Sequence, residues 1–128
     1  MKLSTKSRYA LEGLLYLAAY FPDKPITARQ VAEGVQVSVP YMEQIFFTLK
    51  QAGLLKAVRG ARGGFLLAIA AEQITAGMII RAIEGDLAPV ACVHNLDACN
   101  SKVRDVCVSR RLWSNVTKPL NLRWIVQP

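Results

Sequence analysis

The chain has 128 residues, 52% hydrophobic and 20% charged, with a formal net charge of +7. That balance excludes a disordered polymer and supports a single domain with a real core, in a size class that often gains stability by oligomerising. No apolar run approaches the roughly 18 residues of a membrane span, and MKLSTKSRYALEGLL lacks a hydrophobic signal core with a small-residue cleavage site, so a cytoplasmic protein with no membrane partner is expected.

The charge is unevenly placed. Residues 1–64 hold nine Lys/Arg against four Asp/Glu, residues 65–100 one against four, and residues 101–128 six against one. A basic first half is the electrostatic footprint of a duplex-binding module.

In chain order, Ser4 and Thr5 precede a long amphipathic stretch in which Tyr9, Leu11, Leu14, Leu15, Leu17 and Ala18 form an apolar face up to about Phe21. Its basic residues Lys2, Lys6 and Arg8 either reach a DNA backbone or are simply solvated. Pro22 to Pro25 form the loop that ends the helix. Thr27 and Gln30 have capping-box spacing and open a short helix with Ile26, Val31 and Ala32 on its apolar face. Gly34 is placed to end that helix in a left-handed conformation. Ser38 is a natural N-cap for the next helix, and Pro40 is tolerated in its first turn. Met42, Ile45, Phe46 and Leu49 recur at core spacing, and Gly53 closes the helix. Ser38, Tyr41, Glu43, Gln44 and Thr48 are left on the outer face or the N-terminal end, as a helix entering a major groove requires. Glu43 either accepts from a cytosine amino group or is a solvated helix charge.

Leu54–Val58 and Phe65–Ala68 have the composition of paired strands, joined by Arg59-Gly60-Ala61-Arg62-Gly63-Gly64. Glycines allow a tight turn and a close approach to a surface, and the two arginines can neutralise phosphate or enter a minor groove. The GxxxxGK[ST] pattern of nucleotide binding is missing. Together these elements form a helix-turn-helix with a two-stranded wing.

Beyond the wing, Thr75 is placed to cap a helix carrying Met78, Ile79, Ala82 and Ile83, which Glu84-Gly85 ends. Residues 86–103 have the character of a loop, long for a compact domain and therefore a place to look for function. A further helix is expected from about Arg104, with Val108, Leu112, Trp113 and Val116. Its large apolar residues suit a dimer interface, and Pro119 kinks or ends it. Trp124, Ile125 and Val126 near the terminus need a partner surface.

Cys92, Cys99 and Cys107 lie within sixteen residues, spaced Cys-x6-Cys-x7-Cys. An odd number in a cytosolic chain argues against a disulfide framework. Structural zinc wants four ligands in closer pairs. Three thiolates on a loop suit an iron–sulfur cluster with a weaker fourth ligand, for which His94, Asp97, Asp105 or a partner's side chain are candidates. Free thiols without metal, or a thiol redox switch, remain open alternatives.

Over residues 1–113 the chain resembles the IscR/NsrR-type winged-helix regulators, the Rrf2 family of bacterial repressors. KLSTKSRYALEGLLYLA looks like that family's first helix, VPYMEQIFFTLKQAGLLKAVRGARGGFLLA like its recognition helix and wing, and ITAGMIIRAIEG like the following helix. Arg110-Arg111-Leu112-Trp113 is similar to the opening of its dimerisation helix. The resemblance implies a homodimer on double-stranded DNA at a partly palindromic promoter site. Its cluster, 2Fe-2S in preference to 4Fe-4S, would be held by Cys92, Cys99 and Cys107. Its targets would lie in cluster assembly, iron homeostasis, nitric-oxide responses or cysteine metabolism.

The chain departs from the family's pattern at several points. One branch has a histidine ligand where Arg110 stands, and the nitric-oxide branch an acidic residue where Arg8 stands. The gap before Cys107 is longer than usual, and Pro119 with the end at Pro128 suggests an altered dimer helix.

The expected architecture is mainly α with a small β wing. A winged helix-turn-helix occupies residues 1–85, a cysteine-bearing loop 86–103, and a dimerisation helix with its tail 104–128. Expected DNA contacts are Ser38, Tyr41, Glu43, Gln44, Arg59, Gly60, Arg62 and Gly63. The expected function is a DNA-binding repressor under iron–sulfur control. The alternative is a cluster-free regulator of the same fold governed by thiol oxidation or by a partner metabolic enzyme. With no cofactor fingerprint, no plausible triad and one histidine, an enzyme is not expected.

Overall fold

A computed structural model describes residues 3–121, with the side chains of Leu120 and Asn121 excepted. The expectations for Lys2, Trp124, Ile125 and Val126 lie outside the described residues. Among the described residues, five α-helices and one two-stranded antiparallel sheet make up the architecture, in the order α1 (Thr5–Tyr20), α2 (Ala28–Val35), α3 (Val39–Gln51), β1 (Leu55–Val58), β2 (Gly64–Leu67), α4 (Ala76–Glu84) and α5 (Val108–Thr117).

Local chemistry sets most of these boundaries. Ser4 caps α1 by accepting the Ser7 amide. The Thr27 hydroxyl accepts the Gln30 amide at 3.2 Å while the Gln30 side chain accepts the Thr27 amide at 3.0 Å, a complete capping box. Thr75 caps α4 through the Met78 amide. Gly53, at φ 79, ends α3 with its amide on Lys50 O and the Leu54 amide on Leu49 O, a geometry that favours a residue without Cβ.

Three expectations are corrected. The left-handed residue after α2 is Gln36, at φ 59, and not Gly34, which stays inside the helix. Any Cβ at Gly34 would collide with the Tyr16 ring, so this glycine serves the contact between α1 and α2. The last helix begins at Val108, not near Arg104, because residues 104–106 form a single 3-10 turn and Cys107 is extended. Ser38 has the extended backbone of an N-cap, but its hydroxyl makes no capping bond.

The core lies where α1 packs on α2, α3 and α4, and where α3 meets β1. Leu14, Leu17, Val31, Met42, Ile45, Phe46, Leu49 and Ile79 are fully or almost fully enclosed. β1 and β2 pair with Leu55 opposite Leu67 and Val58 opposite Gly64. Ile26 adds an isolated bridge to Phe65, with amide-to-carbonyl distances of 3.1 and 2.8 Å. Gly64 sits against the Ile26 backbone, where a Cβ would have no room, so the wing is anchored to the start of the helix-turn-helix at a position only glycine fits.

Candidate nucleic-acid interface and cysteine segment

α3 buries Met42, Ile45, Phe46 and Leu49 and turns its other face outward. Ser38, Glu43 and Gln44 are exposed there. Tyr41 is half-buried and meets Tyr9 edge-on, with ring centroids 6.0 Å apart, so its position is tied to α1. Thr48 returns its hydroxyl to Gln44 O at 3.0 Å, which leaves it a helix-backbone role. At the hairpin tip Arg59, Gly60 and Arg62 are exposed and Gly63 is half-buried. The Gly63 amide closes the turn onto Gly60 O at 3.0 Å.

Between these two sets lies an open cleft of about 610 Å³, lined by Thr27, Ala28 and Arg29 at the start of α2, Glu43 from α3, and Val58, Gly60, Ala61, Gly63, Gly64 and Phe65 of the wing. Glu43 thus faces the wing. Arg29, in the first turn of α2, lines the same cleft and had no local sequence signal beyond its charge; only the fold brings it into one cleft with Glu43. Arg8 lies over the Tyr9 ring at 4.7 Å and pairs with Glu12 at 3.7 Å, so it is engaged on α1.

The far end of the head is held by one carboxylate. Glu84 Oε1 accepts the Ser4 amide at 2.9 Å, the Ser4 hydroxyl, and the buried Ser7 hydroxyl at 2.6 Å. Those hydroxyls hold the Glu84 carboxyl below the ordinary glutamate value.

From Asp86 to Cys107 the chain makes three short 3-10 turns, at Ala91–Val93, Leu96–Ala98 and Arg104–Val106. Cys92, Cys99 and Cys107 are free thiols, each half-buried. Arg110 Nε donates to the Cys92 carbonyl at 2.8 Å, tying α5 back to the first cysteine. The Cys107 thiol lies 3.1 Å from the Ser109 hydroxyl, which, with the Arg110 amide, lowers its pKa. Of the candidate fourth ligands, His94 is 3.2 Å from Asp86 and Asp97 is 3.6 Å from Arg104.

Three thiols on one short segment have the donor chemistry of an iron–sulfur site. Among the described residues, however, no three His, Cys, Asp or Glu side chains stand close enough to hold a metal ion. The cysteines would have to be drawn together around one. On α5, Val108, Leu112 and Val116 are exposed at successive i, i+4 positions, an apolar stripe that nothing in the described chain covers. No described helix is long and apolar enough to cross a membrane.

Comparison with known proteins agrees with this geometry. Residues 3–123 match the family model described as Rrf2, iron-dependent transcriptional regulator. The HTH-type transcriptional regulator IscR of Aliivibrio salmonicida is 31% identical over 121 residues, 94% of this chain and 70% of that one. The solved structure of CymR, the global cysteine regulator of B. subtilis, superposes with a TM-score of 0.74 at 33% identity, over 94% of this chain and 90% of that one. T. potens IscR superposes with a TM-score of 0.66 at 34% identity, over 94% and 77%. With a helix-turn-helix whose exposed α3 face adjoins a two-stranded wing, the chain belongs to the Rrf2 family of transcriptional regulators.

Proposed function

We propose that the chain is a cytoplasmic, homodimeric repressor that binds a partly palindromic promoter site and is controlled through its cysteine segment. The observation that supports the DNA half is the cleft that sets Glu43 of α3 across from the glycine-rich tip of the wing, whose Arg59 and Arg62 are exposed. Ser38 and Gln44 would bond base edges or phosphates, and Glu43 would accept from a cytosine amino group. Arg59 and Arg62, with the close backbone approach of Gly60 and Gly63, would hold backbone or minor groove. Tyr41 would brace the helix against Tyr9. The apolar stripe of α5 would meet its own copy, placing the two reading helices on successive major grooves. This is a binding protein and not an enzyme.

Cys92, Cys99 and Cys107 would hold an iron–sulfur cluster, 2Fe-2S in preference to 4Fe-4S; when bound, such a group supplies redox-sensitive charge and lability to oxidants. Arg110 links the Cys92 backbone to α5, so rearrangement of the cysteine segment would bear directly on the dimer helix. A hundred-fold change in DNA affinity needs only about 2.8 kcal/mol of coupling, ordinary for allostery. The test is an anaerobic ultraviolet–visible spectrum with iron and sulfide counts, run beside duplex binding. Visible absorption with matched iron and sulfide supports the cluster, and a colourless protein after reconstitution rejects it.

One observation favours a second reading. The half-buried Cys107 thiol beside Ser109 has enhanced thiolate character, which suits control by thiol oxidation in a cluster-free regulator. DNA binding that responds to peroxide in iron-free protein would select that reading. A response only to an added metabolic enzyme would select partner control.

A further inference from the structure

The outward face of α3 carries one residue that polar recognition does not explain. Phe47 is 56% exposed, whereas its neighbour Phe46 is fully enclosed and meets Phe65 edge-on at 5.2 Å. Single exposed hydrophobic residues are common and carry little information. The position of this one is informative. At about 100° per residue, the buried Met42, Ile45, Phe46 and Leu49 define an inner stripe, and Phe47 falls about 150° from its middle. Pro40, Glu43, Gln44 and Phe47 are all exposed and stand at i, i+3, i+4 and i+7, the spacing at which a groove-bound helix offers side chains to successive bases.

We propose that Phe47 is a specificity-determining residue that reads a thymine methyl group in the major groove. An aromatic ring offers phosphate nothing, and the thymine C5-methyl is the one apolar group among the base edges of that groove. Phe47 lies one helical turn beyond Glu43 and Gln44, about 5.4 Å along the axis, and base pairs stack about 3.4 Å apart. The thymine it reads therefore stands one or two base-pair steps from the position that depends on Glu43. The ring shields that methyl from water and disfavours cytosine there, whose edge presents an amino donor and no methyl.

The proposal rests on the DNA-binding reading of α3 and is tested separately from it. The full-length protein, prepared anaerobically, selects duplexes from a random pool. Binding is then measured to the enriched duplex with each thymine replaced singly by deoxyuridine, which removes only the methyl. The wild type should lose about three- to ten-fold at one thymine per half-site, one or two steps from the position relaxed by Glu43→Gln. Phe47→Ala should bind the thymine and deoxyuridine duplexes equally, near the weaker wild-type value. The side chain is largely exposed, so this variant should fold as the wild type does.

A wild type indifferent to every single deoxyuridine overturns the proposal, as does a Phe47→Ala protein with full sensitivity. A Phe47→Ala change in sedimenting mass with unchanged sequence preference also overturns it and makes Phe47 a protein contact. A wild type that enriches no duplex overturns the DNA-binding reading itself.

Discussion

The reading head and the cysteine segment are built on opposite plans. Every buried hydrophobic residue described, except Leu87, precedes residue 81. α1 to α4 and the wing share one core, and even the wing is pinned by the Ile26–Phe65 bridge. Beyond Asp86 the described chain consists of short 3-10 turns and one helix without a buried residue. Its internal ties are polar and mostly exposed: His94 with Asp86, Arg104 with Asp97, Arg110 with the Cys92 carbonyl. Exposed pairs of this kind contribute about 0–1 kcal/mol each. The head therefore specifies its own structure, while the described part of the segment contributes little buried packing of its own; under the proposed function a second copy against α5 or a group held by the thiols would complete it. That division is compatible with the proposed control through the cysteines, because a segment already locked by its own core would have no second arrangement to adopt.

The largest test of the contrast sets Phe46 against Leu112. Phe46→Ala empties a fully enclosed site in the head and should cost about 3–5 kcal/mol in urea unfolding, enough to leave much of the protein unfolded at ambient temperature. Leu112→Asp places a charge in the exposed α5 stripe. In the full-length chain it should leave the head's unfolding transition within about 0.5 kcal/mol of the wild type, and under the proposed dimer it should lower the sedimenting mass from two chains to one. Comparable unfolding losses in both variants would mean that α5 belongs to the head's core, and the contrast would fail.

A smaller effect is expected at the wing. Arg62 is exposed at the hairpin tip, where the proposed phosphate contact would release one counterion. Arg62→Ala should weaken duplex binding about equally across sequences and flatten the salt slope by about one. An unchanged slope would assign Arg62 to solvent and leave Arg59 to hold the backbone.

How much of each region was legible follows from the range of the forces that shape it. The capping box of Thr27 and Gln30, the Thr75 cap, the Gly53 terminus and the α3 core positions rest on interactions within about five residues, and the sequence displays them directly. The Gly34 expectation failed because a glycine can answer two demands. Here it makes room for Tyr16, eighteen residues earlier, and Gln36 adopts the left-handed turn. The start of α5 was misplaced because Arg104 to Val106 are compatible with a helical pattern, and the extended Cys107 that interrupts it has no local signature. Phe47 was legible only by difference: the core spacing that places Phe46 inward turns its neighbour outward, but nothing local marks the exposed ring as functional. The cleft shared by Arg29 and Glu43, and the bonds of Glu84 with Ser4 and Ser7, are created only by the folded chain.

That Glu84 contact sharpens the comparison where the two regions meet, since the cysteine segment begins two residues after it. The carboxylate ties the end of α4 to the first turn of α1, accepting from both serines, with Lys6 contributing a weaker favourable charge. Its folded pKa is lowered, so the folded state prefers the ionised form more than the unfolded chain does. The stabilisation is present above the unfolded glutamate value of about 4.3 and is lost as pH falls from there through the folded value. Glu84→Gln keeps an acceptor oxygen for the serines but removes the titration. Its unfolding midpoint should be slightly lower than the wild type's at neutral pH, and its decline below about pH 4.3 shallower, so that the two curves converge in acid. The wild-type head should also lose protection at the Ser4 and Ser7 amides over that window before the core of α3 exchanges. Parallel acid limbs for the two proteins would show that this carboxylate does not set the head's acid sensitivity, and that the end of α4 is held on α1 by packing alone.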